Sequence, residues 1–92
     1  MIREFVGMVS EEEKCKIMTL HERQAALREL LMTINENTLK GLYEKIVNDL
    51  TEVRKKSEVW WREMSLTKKW KSVEGGQWTI DFSTNEIYIL HD

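Results

Sequence analysis

The sequence predicts a small α+β domain: an antiparallel helical hairpin with one long heptad-patterned arm, followed by a C-terminal antiparallel β-hairpin or three-stranded meander. Three observations carry this. Leu39, Tyr43, Ile46, Leu50, Val53, Ser57, Trp60 and Met64 follow one another at alternating steps of four and three residues. That is the 3.5-residue period that keeps one seam of a helix against a partner. A second stripe precedes it at the same spacing: Ile17, Leu20, Gln24, Leu27, Leu31 and Ile34. Beyond about residue 70 the apolar period drops to two, as on a half-buried strand.

Residues 1–9 are apolar but short, through Ile2, Phe5, Val6, Met8 and Val9, and read either as a strand or as the lead-in to a helix. Ser10 with Glu13 fits a capping box, and Glu11, Glu12 and Glu13 put negative charge where the helix dipole favours it. Thr19 with Glu22 repeats the signal, so the stretch 11–34 is either one helix or two broken near 18; one helix is the preferred reading. Asn35, Glu36, Asn37 and Thr38 form a turn whose side chains can cap the second helix. A helix spanning the long stripe runs roughly 40 Å at 1.5 Å per residue. It must lie against another long helix, of this chain or of a partner. No Gly or Pro stops it, and its end is expected between Ser65 and Lys69. In QWTIDF, Trp78, Ile80 and Phe82 share a face, and in EIYIL, Ile87 and Ile89 alternate with Tyr88. Glu74, Gly75 and Gly76 make a turn, residues 83–86 a hairpin loop, and residues 70–73 a third strand. The Trp78 face needs cover, for which the helix end around Trp60, Trp61 and Met64 is the candidate. The chain reads as one domain, 1–92, with the hairpin over about 10–68 and the β segment over about 70–90.

An apolar share of 41% and a charged share of 33% describe a soluble globular chain. The net charge of −2 gives the whole chain no electrostatic commitment to nucleic acid. A single cysteine, Cys15, excludes an internal disulfide, and the amino terminus lacks the shape of a signal peptide. The expectation is a cytoplasmic protein with no membrane contact. His21, His91 and Cys15 fall outside metal-ligand spacing, and Cys15 sits among Glu11, Glu12 and Glu13 rather than in the electropositive setting of a reactive thiol. Gly75-Gly76 lacks the helix and Lys-Ser/Thr of a phosphate loop. Glu44, Asp49 and Glu52 alternate with Lys and Arg as a solvated face. No cofactor, metal or catalytic residue is expected.

Three classes of function remain. The favoured one is a small non-catalytic interaction or regulatory protein, acting as a homo-oligomer, a dimer first, or by binding another protein. Trp60, Trp61, Arg62 and Trp70 are its expected contacts, with Leu39, Tyr43, Ile46, Leu50 and Val53 for helix pairing. The second is nucleic-acid or nucleotide binding. Between 54 and 71 seven cations face two acids, Glu58 and Glu63, with three Trp interleaved. Arg54, Lys55, Lys56, Lys68, Lys69 and Lys71 would meet phosphates while the rings stack bases; the competing reading is a solvated face around core tryptophans. The third is a small-molecule-binding accessory subunit, with a pocket between the sheet and the Trp-rich helix end.

Overall fold

Local chemistry sets the first helix where the capping box places it. In the structure, a computed structural model that describes residues 1–34 and 40–92, the Ser10 N–H donates to Glu13 Oε1 at 2.8 Å. The Glu13 N–H in turn donates to Ser10 Oγ at 3.1 Å. From this cap α1 runs unbroken over Glu11–Thr33, straight through the second capping signal at Thr19. The second helix, α2, spans Lys40–Lys68. Leu39 and the turn expected over 35–38 lie outside the described residues.

The end of α2 shows how a helix stops without glycine. Lys69 takes φ = 55°, and the Trp70 N–H donates to the Ser65 carbonyl at 3.2 Å, the six-to-one bond of a Schellman cap. A left-handed conformation costs an L-residue roughly 1–2 kcal/mol, part of which glycine's greater unfolded entropy offsets. Lys69→Gly is therefore expected to raise stability by about 0.5–1 kcal/mol in urea titration, and a loss would contradict this cap.

The sheet has three strands: β1 (Ile2–Met8), β2 (Gln77–Asp81) and β3 (Glu86–His91). The hairpin partners β2 and β3 form as their alternation predicts, but the third strand is residues 2–8, not 70–73. The order is β1-β3-β2, antiparallel throughout, so β3 is central and the sheet is not a three-strand meander. Residues 70–73 form no strand and make other contacts. Trp70 lies so close under Gly7 that a Cβ there would stand 2.7 Å from its Nε1. The Lys71 carbonyl accepts the Trp78 indole N–H at 3.0 Å. Before β2 the chain turns with Gly76 N–H bonded to the Val73 carbonyl at 2.8 Å and Gly75 at φ = 75°, the third position of a type II turn, which demands glycine.

Register assigns the faces. Trp78 stands opposite Ile89, Ile80 and Gly7 opposite Ile87, and Glu4 opposite Ile89. This is the core face: Ile87 and Ile89 are 0% and 1% exposed, and Val9 and Trp70 are buried as well. On β1 the register slips by one residue between Phe5 and Gly7, a bulge that puts Gly7 on the core face and Met8 on the other.

Packing divides the chain into two units, Met1–Lys16 with Arg62–Asp92, and Ile17–Trp61. The sheet belongs to the first. In the second, α1 and α2 run alongside one another as a hairpin, with Ile17, Ile46, Leu50 and Val53 buried. The heptad stripe thus has its central seam buried within a single chain. No described helix is long and apolar enough to cross a membrane.

Candidate interaction face

The side chains singled out from sequence fall into different surroundings. Trp60 and Trp70 are each only 7% exposed, so both contribute to packing. Trp61 is half-buried and meets Trp60 edge-on at 4.9 Å, while Arg62 is exposed. Of the pairing residues, Ile46, Leu50 and Val53 are buried and Tyr43 half-buried.

The cations are partly neutralised. Lys68 pairs with Glu13 at 3.0 Å and Lys71 with Glu4 at 2.9 Å. Arg54, Lys55, Lys56 and Lys69 are exposed, Lys55 standing 3.9 Å from Glu52. Trp60 and Trp70 are buried, which leaves half-buried Trp61 as the ring beside these charges that a base could stack on. A groove of about 420 Å³ follows the helical pair in the 17–61 unit, lined by Leu20, Arg23, Asp49, Glu52, Val53 and Lys56. Its lining mixes cations and carboxylates over two aliphatic side chains, unlike the mostly apolar lining of small-molecule pockets.

Exposed apolar side chains occur singly along the helices, at Leu30, Met32, Leu42, Val47, Val59 and Leu66, and on the second face of the sheet Phe5 and Met8 stand beside an aromatic neighbour. Phe5, Tyr88 and Thr79 form the middle row of that face, Arg3, Leu90 and Gln77 one flanking row, and Met8, Glu86 and Asp81 the other. Phe5 is 52% exposed and Met8 54%. The Phe5 and Tyr88 rings meet edge-on at 5.8 Å, and the Arg3 guanidinium sits 3.9 Å above the Tyr88 ring, each an arrangement that ring quadrupoles favour. Tyr88's hydroxyl is held above its ordinary pKa, first by desolvation and then by the charge and hydrogen bond of Glu86.

No known protein family, curated protein or solved structure matches this chain. Its function must be read from geometry.

Three carboxylates, Glu4, Glu11 and Glu13, tie elements of the first unit together, and a fourth, Asp81, fixes the turn that follows it. Lys71 and then His91, whose Nε2 lies 3.2 Å from Glu4 Oε1, hold Glu4 below the ordinary carboxylate pKa. Lys14 and then Asn85 do the same for Glu11, and the Ser10 N–H and then Lys68 for Glu13. Asp81 is lowered by the Ser83 hydroxyl and backbone N–H, at 2.6 Å and 2.9 Å. Each group binds fewer protons folded than unfolded, so stability rises with pH through this range. Their contribution is complete above the ordinary values of 4.5 for Glu and 3.8 for Asp, and is lost as pH falls through the lower folded values. Thermal melts between pH 6 and pH 2 should show a falling midpoint that begins near the ordinary values, and Glu4→Gln should flatten the curve. A midpoint independent of pH there would contradict these pairings.

Sequence reasoning missed this face because it weighed aromatic residues by the charge of their neighbours. The alternation of Ile87 and Ile89 with Tyr88 was legible, but nothing in residues 1–9 paired Phe5 with Tyr88.

Proposed function

We propose that this chain is a non-catalytic interaction protein whose contact surface is the open face of its sheet, with Phe5, Met8, Tyr88 and Arg3 at the centre. The observation that carries the reading is the half-exposed Phe5 and Met8 beside Tyr88 and its stacked Arg3. Aromatic residues, Met and Arg, the types grouped on this face, are those enriched in protein interfaces. The burial of Trp60 and Trp70 moves the expected contact away from the Trp-rich helix end. The partial neutralisation of Lys68 and Lys71 favours this reading over nucleic-acid binding.

Photo-crosslinking tests it. A benzophenone-bearing phenylalanine analogue at position 5, in cells of the native host, is expected to trap a protein adduct, whereas the same analogue at position 61 traps none or far less. Adducts from position 61 alone, or none from position 5, would overturn the assignment.

A further inference from the structure

The open face is complementary to a copy of itself. By backbone register Arg3 lies on one side of the central Phe5–Tyr88 row and Glu86 and Asp81 on the other, and the Arg3 guanidinium, stacked on its own Tyr88 ring, has to swing off that ring to reach a second copy. Consider a two-fold axis between two such faces, running across the strands. It lays each Phe5 over the second copy's Phe5 and each Tyr88 over the second copy's Tyr88. It also sets each Arg3 against the acidic row of the second copy, nearest its Glu86. The strands stay aligned, the ordinary geometry of two stacked sheets about 10 Å apart. Side-by-side pairing through β1 is the less favourable route. That edge carries a bulge after Phe5 and an inward-pointing charge, Glu4, both of which discourage strand addition.

Building on the contact surface assigned above, we infer that the occupant of this face is a second copy of the same chain, packed sheet against sheet, with Arg3 and Glu86 paired across the two-fold axis. Three strands at about 4.8 Å and six or seven residues at about 3.3 Å make a patch roughly 14 by 20 Å. That is smaller than the ~800 Å² per partner of a standard interface. The dimer therefore falls in the weak, transient class and depends on concentration.

Sedimentation equilibrium over a dilution series tests this with the intact chain. The wild type is expected to rise from 11.0 kDa toward twice that mass as concentration increases. Arg3→Glu and Glu86→Arg should each weaken self-association by about tenfold or more, since each turns two attractive pairs into repulsive ones. An equimolar mixture of the two variants should restore it, because both cross-pairs are then of opposite sign. Phe5→Lys should remove it, and serves alone if either charge variant melts well below the wild type. A chain that stays monomeric to about 1 mM, or a dimer indifferent to all three substitutions, would overturn the inference. The position-5 crosslink separates the two readings. An adduct with a different protein, from a chain that sediments as a monomer, overturns self-pairing and leaves the contact face standing. A monomer without any position-5 adduct overturns both.

Discussion

Trp70→Ala is expected to cost about 3–5 kcal/mol, the range for removing a buried tryptophan. A domain of this size has on the order of 5–15 kcal/mol in total. The ring is 7% exposed, supports Gly7 from beneath and lies 6.2 Å from the Trp78 ring at a tilt of 58°. Its backbone N–H also closes α2. Three parts of the first unit therefore meet at one residue, two of them through its side chain. The Gly7 contact supplies a sharper version. Gly7→Ala would place a Cβ 2.7 Å from Trp70 Nε1 and 3.0 Å from Cδ1, an overpacking that costs roughly 1–3 kcal/mol. In a Trp70→Phe background that clash is relieved, so the two substitutions should be non-additive by about 0.5–3 kcal/mol. Urea titrations of the four proteins measure this. A Trp70→Ala variant as stable as its parent would return Trp70 to the surface.

Ile89→Ala should cost about 2–5 kcal/mol, as large-to-small changes in a packed core do. Ile89 is 1% exposed on the central strand, with Trp78 opposite it on β2 and Glu4 on β1. Its neighbour Ile87, at 0%, cannot move in to fill the space without breaking the two registers that flank it. Ile89→Val, which removes one methylene, should cost only about 0.5–1.5 kcal/mol. If Ile89→Ala and Ile89→Val melt together, the assignment of this face to the core is wrong.

What could be read from the sequence was local. The Ser10/Glu13 cap, the seam through Ile46, Leu50 and Val53, and the Trp78/Ile80 and Ile87/Ile89 alternation each depend on residues a few positions apart, so pattern alone reveals them. What escaped depends on distant pairing. β1 pairs with β3 from the far end of the chain, as Ile2 opposite His91 shows, and no periodicity in residues 1–9 names that partner. The left-handed cap at Lys69 was hidden because a lysine stands where glycine is the usual signal. The ion pairs Glu4–Lys71 and Glu13–Lys68 are non-local too, and they turn part of what looks like a free basic stretch into cross-links between elements. The proposed contact face is split between β1 and β3, each contributing one aromatic ring, so neither segment announced it alone.

The central claim is that binding and folding use opposite faces of one sheet, and Phe5→Lys tests it most directly when solution mass and unfolding free energy are measured on the same samples. Phe5 is 52% exposed, so the substitution should leave stability within about 0.5–1 kcal/mol of the wild type while self-association disappears. Association that survives at wild-type strength in a folded Phe5→Lys protein would contradict the claim.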